Sequence, residues 1–183
     1  MQIVSDEVRS LLAYANRLYT LEQVESALET LAARINAELG DENPLLLPIM
    51  NGGLTVAAGL LRHLNFPLQL DYMHVTRYRG STSGGSVDWI HKPQTEVAGR
   101  NILIIDDLLD HGITLREAVD YCQKSGARSV KTAVLIVKQI ASRTGLQTVD
   151  YFALEAPDQY LFGYGMDYKS YWRNAPGIFA VKS

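Results

Sequence analysis

The chain has one cysteine, Cys122, in 183 residues. A single thiol cannot close an internal disulfide, so no disulfide framework holds this fold. Its neighbours Val119, Tyr121 and Ser125 place it on a helix as a buried structural thiol rather than a nucleophile. No apolar run approaches the roughly 18 residues that a membrane-spanning helix needs. The opening MQIVSDEVRS has no basic stretch followed by an apolar one, and a soluble, cytoplasmic protein with no membrane partner is expected. Positive charge is not in excess: 17 Lys and Arg against 20 Asp and Glu give −3, with a pI near 5.8. That balance gives no basic footprint for nucleic acid, and no nucleic-acid partner is expected. His63, His74 and His91 have no spacing that suggests a metal site. Repeats and interdomain linkers are also missing, which leaves a single domain over residues 1–183 as the expectation.

What is present is ordinary globular material, 47% hydrophobic and 20% charged, enough to rule out disorder and to build a core. Residues 6–19 read as a helix. Thr20-Leu21-Glu22-Gln23 is a capping box opening a second one. Val24, Leu28, Leu31, Ile35 and Leu39 recur at helical spacing in it, and Gly40 supplies the stop. Leu45 to Met50 reads as a short buried strand, residues 54–64 as a helix, and 68–75 as a strand. Residues 76–95, with Arg77, Arg79 and a run of Ser, Thr and Gly, read as a long functional loop. A strand at 102–106, a helix at 113–125 and a strand at 130–137 follow. The remainder holds aromatics and short elements. Strand and helix in alternation imply an α/β fold with a parallel sheet covered by helices.

One segment concentrates the chemistry. Ile102-Leu103-Ile104-Ile105 reads as a strand buried on both faces, and it runs into Asp106 and Asp107. Acids at the carboxyl end of such a strand stand where open α/β sheets bind ligands. Asp110 follows, then the turn from His111 to Thr114, whose backbone N–H groups at a helix start suit a phosphate. Carboxylates beside a phosphate repel it unless a cation or sugar hydroxyls lie between. The combination asks for a phosphorylated sugar with Mg²⁺. An acidic βα loop with no such role is the plain alternative. The acid pair of a phospho-acceptor receiver domain is another, but that pair follows the first strand of its domain, and here about a hundred residues precede it.

Asp106, Asp107, Gly112 and Thr114 resemble the phosphoribosyl diphosphate (PRPP) signature of the type I phosphoribosyltransferases, with His111 where Thr is usual. The resemblance runs in four ordered blocks from about residue 45 to 180, and it is to the hypoxanthine-guanine branch. It implies a central, mostly parallel sheet flanked by helices, with a core over about 40–140 and a small hood from about 1–20 and 141–183. It implies that Asp106 and Asp107 hold the ribose hydroxyls and Mg²⁺, and that Asp110, His111, Gly112, Ile113 and Thr114 seat the 5′-phosphate. Asp110 would also be the general acid/base at N7 of the purine; a helix cap is its bland reading.

Other blocks carry the remaining roles. Asn51-Gly52-Gly53 occupies the family's pyrophosphate loop, with Asn51 where a Lys is common, and a cis Met50–Asn51 bond goes with that likeness. Arg173 after Tyr171-Trp172 matches an Arg that contacts pyrophosphate; a solvated Arg is the alternative. Lys138 matches a Lys aimed at O6 of the base, Tyr160 an aromatic that stacks on it, and Leu161 a backbone contact to its edge. Asp167 matches an acid near the 2-position and a second Mg²⁺; a surface or cap acid is as good a reading. Arg77 and Tyr78 stand where relatives carry a Ser-Tyr pair on a lid.

The implied reaction is hypoxanthine or guanine plus PRPP giving IMP or GMP and pyrophosphate, in a homodimer or homotetramer. Alternatives are a xanthine-preferring or orotate-using transferase, and a nucleotide-sensing RNA-binding regulator on the same fold. The regulator commonly carries Tyr at the position of Asp110 and wants a basic surface, and orotate enzymes lack the Lys138 and Tyr160 hood.

Overall fold

The computed structural model describes residues 4–77 and 87–182. The order is α1 (Asp6–Tyr14), β1 (Asn16–Thr20), α2 (Leu21–Leu39), β2 (Leu45–Pro48), α3 (Gly53–Leu61), β3 (Gln69–Leu70), β4 (His74–Arg77), β5 (Val87–His91) and β6 (Asn101–Leu109). Then come α4 (Ile113–Lys124), β7 (Ser129–Gln139), β8 (Tyr151–Pro157), β9 (Leu161–Phe162) and β10 (Gly177–Ala180). Five strands form one parallel sheet in the order β3-β2-β6-β7-β8. Successive side chains along a strand point to opposite faces. Leu103 and Ile105 therefore join α2 and α3 in one core, whereas Ile102 and Ile104 join α4 in a second. This double burial explains why β6 begins with an unbroken apolar run. No helix among the described residues is long and apolar enough to cross a membrane.

The capping box is formed in both directions. The Gln23 N–H donates to Thr20 Oγ1 at 3.2 Å, and the Thr20 N–H donates to Gln23 Oε1 at 2.9 Å. The helix it opens buries Val24, Leu28, Leu31, Ile35 and Leu39, as its spacing predicts.

Four elements differ from the sequence reading. The expected strand over 68–75 is two short ones, β3 in the parallel sheet and β4 paired with β5. The first helix stops at Tyr14, and Asn16–Thr20 is a strand paired with β10, in an antiparallel sheet β1-β10-β9. Local periodicity carries no trace of a partner so far along the chain. Val87–His91, expected as loop, is a strand paired with β4 and anchored by Trp89, whose Nε1 donates to Glu117 of α4 at 3.1 Å. Finally, β6 does not end at Asp106. It stays extended to Leu109 because β7 pairs with it as far as Leu109↔Val137.

Cys122 is fully buried in the α4 core, and burial pushes its thiol up to about 12. A thiol-disulfide reagent at pH 8 should leave the native protein unlabelled and modify one thiol in denaturant. Rapid native labelling would contradict this packing.

Candidate active site

The extension of β6 decides the geometry of the site. Asp106 pairs with Val134 inside the sheet and is 8% exposed, while Asp107 is partly exposed at the rim. The Asp107 N–H donates to Asp106 Oδ1 at 2.9 Å. Burial pushes the Asp106 carboxyl well above the ordinary range, and the charge of Asp107 adds to this. Asp107 is raised as well, by burial first, against the pull of its hydrogen bonding with Asp106 and the Arg173 charge. Arg173 offsets part of this charge, but neither acid forms an ion pair among the described residues, which is the electrostatic form of a seat for a cation or for hydroxyl donors.

The turn after β2 closes over this pair. The Met50–Asn51 peptide is cis. A Cβ on Gly52 would lie 1.8 Å from Asp107 Oδ2, and one on Gly53 would lie 2.5 Å from the Ile105 carbonyl oxygen. Only glycine lets this backbone come so close to the acids. Gly165 touches the same turn from the other side, where its Cβ would lie 2.5 Å from the Gly52 oxygen.

Beyond β6, Gly112 takes a left-handed φ of 74° as N-cap of α4, and no side chain caps that helix start. Its free N–H groups and dipole suit an anion. A cavity of about 210 Å³ is lined by Asp106, Asp107, Asp110, Gly112, Ile113 and Thr114, among others. His111 is exposed, 4.0 Å from Asp110. A second cavity, about 230 Å³, is lined by Lys138, Tyr160, Leu161, Met166 and Asp167. The two share Asp107, Leu108 and Asp110 as a common wall.

Lys138, one residue before the end of β7, has its ammonium 3.5 Å from Asp110 Oδ2 and 3.6 Å from Asp158 Oδ1. Both are longer than a good charge-assisted hydrogen bond, so the ammonium is screened but free to donate elsewhere. Tyr160 stands edge-on to Tyr168 at 5.5 Å and is half exposed, leaving a ring face open to the cavity mouth. Arg173 donates to Asp167 Oδ1 at 2.7 Å and to the Gly165 oxygen at 2.5 Å, and the Ser170 N–H donates to Asp167 Oδ2 at 2.7 Å.

The structure thus brings together Asp106, Asp107, Asp110, Gly112, Ile113, Thr114, Lys138, Tyr160, Leu161 and Asp167 along two joined cavities. Gly52 packs against Asp107, and neither it nor Asn51 lines either cavity. Asp167 does not form a three-carboxylate cluster with the pair: no such group of metal-binding side chains occurs among the described residues. Arg77 closes β4, and Tyr78 lies outside the described residues. Sequence reasoning missed Leu108 and Met166 as cavity walls, because an apolar residue beside a site looks like any core residue. It also missed Asp158, an exposed acid that draws attention only once Lys138 is seen beside it.

The family model of the phosphoribosyl transferase domain matches residues 15–170. The chain belongs to this family. Among phosphoribosyl transferases, it is 34% identical over 166 residues to the hypoxanthine-guanine phosphoribosyltransferase of Bacillus subtilis (strain 168), covering 90% of this chain and 92% of that one. The hypoxanthine-guanine-xanthine phosphoribosyltransferase of Tritrichomonas foetus is 28% identical, with 90% of each chain covered. A solved hypoxanthine phosphoribosyltransferase from Staphylococcus aureus superposes with a TM-score of 0.87 at 25% identity, covering 99% of this chain and 97% of that one. The parallel sheet with flanking helices is therefore the type I phosphoribosyltransferase fold.

Replacing Asp106 by Asn keeps the acceptor for the Asp107 N–H and deletes a buried charge. The penalty is absent below the ordinary carboxylate range, where Asp106 is protonated folded or unfolded, and is complete once pH exceeds the raised folded value. D106N should therefore raise the thermal midpoint of the ligand-free protein at pH 7.5 by roughly 2–4 °C, the response of a chain this size to about 1 kcal/mol. At pH 3 the gain should vanish. Equal midpoints at both pH values would show that Asp106 carries no such burden.

Proposed function

We propose that this protein transfers the 5-phosphoribosyl group of PRPP to N9 of hypoxanthine or guanine, releasing pyrophosphate and serving purine salvage. The observation that carries this reading is the common wall of the two cavities. An acid pair and an uncapped helix start lie on one side of Asp110, and a buried ammonium and an open tyrosine face lie on the other. A donor sugar phosphate and a planar base would meet there.

In this reading the N–H groups of the 110–114 turn bind the 5′-phosphate, and Asp106 and Asp107 hold the ribose hydroxyls. The two carboxylates also suit Mg²⁺, a hard cation content with few protein oxygens when water and phosphate complete its shell. When bound, it neutralises charge on the departing diphosphate. Asn51, Gly52 and Arg173 receive the pyrophosphate; with Asn where relatives carry Lys, the turn relies on backbone groups, the Asn amide and Arg173. Asp167, already paired with Arg173, orients that guanidinium.

Tyr160 stacks on the purine, and Leu161 offers backbone groups to its edge. Lys138 donates to O6, which favours a 6-oxopurine, since a 6-amino group would leave the ammonium facing another donor. Asp110 holds the proton at N7, raising electron density at N9 for attack on C1′. Arg77 and Tyr78 belong to the lid in the same proposal, excluding water from the cationic sugar. A cytoplasmic homodimer or homotetramer completes the reading, and light scattering reads the copy number.

The test is a spectrophotometric assay with PRPP and Mg²⁺ against hypoxanthine, guanine, xanthine, adenine and orotate. Turnover of hypoxanthine and guanine with adenine and orotate inert is expected; turnover of orotate, or of no base, would reject the proposal. K138A should raise the KM for hypoxanthine about 10- to 100-fold, the worth of a hydrogen bond to a charged group. An unchanged KM would remove Lys138 from base recognition. D110N should lower kcat by about 10²- to 10⁴-fold, as for loss of a general acid/base, with PRPP affinity nearly unchanged. Undiminished turnover would leave Asp110 without a part in the chemistry.

A further inference from the structure

The segment after β7 lines neither cavity, yet it grips the turn between β6 and α4 one peptide at a time. The Gly145 N–H donates to the His111 oxygen and the Leu146 N–H to the Gly112 oxygen, each at 2.9 Å. Arg143 Nε donates to the Asp110 oxygen at 3.0 Å. Three successive carbonyls of the turn are thus taken by one strap. In a trans peptide the C=O and the following N–H point in opposite directions. The N–H groups of His111, Gly112 and Ile113 are accordingly turned away from the strap. There is no slack between the segments: a Cβ on Gly112 would lie 2.3 Å from the Leu146 oxygen, and one on Gly145 would lie 2.3 Å from the Gly112 carbonyl.

Arg143 does something that Gly145 and Leu146 do not. Its Nη2 also donates to the Lys138 carbonyl oxygen, at 2.5 Å. One planar guanidinium therefore holds the backbone of Asp110, on β6's side of the site, and that of Lys138, near the end of β7. These are the two residues whose side chains face each other across the cavity at 3.5 Å. Gln147 closes the strap on itself, its Nε2 donating to the Arg143 oxygen at 2.8 Å and the Gly145 oxygen at 2.9 Å. A guanidinium makes two such bonds in a fixed fork, whereas an ammonium carries its donors at one point.

We propose that Arg143 is a positioning residue that sets the spacing between the phosphoribosyl seat and the purine seat, by clamping the backbones of Asp110 and Lys138 on one guanidinium. This rests on the function proposed above, and it adds a specific claim: both substrates feel Arg143 although neither touches it. Reacting groups displaced by a fraction of an ångström lose rate steeply, so the effect belongs in turnover as well as in binding.

R143K keeps the charge and loses the fork; R143A loses both. For each variant the experiment measures kinetic constants for PRPP and hypoxanthine, ribose 5-phosphate affinity by calorimetry, and the thermal midpoint. For R143K, kcat/KM should fall about 10- to 100-fold for both substrates, and ribose 5-phosphate should bind several-fold more weakly. Its midpoint should stay within a few degrees of the parent. Added guanidinium ion should restore part of the activity of R143A. A lower midpoint with kinetic constants and ribose 5-phosphate affinity unchanged would overturn the proposal, as would loss confined to one substrate. If R143A does not fold, R143K alone decides. If the parent protein binds ribose 5-phosphate but turns over no base, the proposed function fails, and the clamp is judged by ribose 5-phosphate affinity in R143K.

Discussion

Two carboxylates on consecutive residues, drawn inside a sheet, set the terms for everything around them. Asp106 could not be buried if β6 ended where its apolar run ends, at Ile105; pairing with β7 carries the strand on to Leu109 and takes the acids with it. The charge they concentrate must be met from nearby. Arg173 is the cation that lowers both, and it reaches them from the far end of the chain. Gly52 and Gly53 cover the pair without adding a side chain. The site is therefore unfavourable when empty and suited to whatever brings positive charge or hydroxyl groups.

Around that centre, separate segments meet backbone to backbone. Gly53 lies against Ile105, Gly165 against Gly52, Gly112 against Leu146 and Gly145 against Gly112. These contacts fix the cavities more firmly than side-chain packing does, because a backbone has no rotamer to change. Side chains near Lys138, such as Asp158 and Tyr160, are exposed and less constrained. The cavity beside the Gly112 turn is thus bounded by close backbone contacts, and the rim beside Tyr160 by exposed side chains.

Much of this was legible in the sequence wherever a residue acts on its neighbours. The capping box at Thr20, the double burial of Ile102 to Ile105 and the turn at Gly112 depend on local patterns, and those patterns were read correctly. The likeness to phosphoribosyl transferases added the distant partners Lys138, Tyr160 and Arg173. What could not be read depends on pairing across long separations: β1 as a strand, β6 continuing through its acids, and Arg143 bridging two carbonyls. Nothing in the polar stretch Ala141-Ser142-Arg143-Thr144 separates that arginine from a solvated one, since a bond to a backbone oxygen requires no particular partner residue.

The pairing of β1 with β10 bears on how the protein comes into being. On the ribosome, β1 emerges early and stays without its partner until Gly177–Ala180 has been made. Other long contacts repeat the pattern: the Trp172 indole donates to the Val8 oxygen, and the Tyr19 hydroxyl donates to the Glu155 oxygen. Contacts of such separation close late and slowly. The strands of the parallel sheet are complete at Pro157, before Tyr160 and Arg173 have been made. A nascent chain therefore carries Asp106, Asp107 and the Gly112 turn of one cavity well before it carries the Tyr160 and Met166 walls of the other.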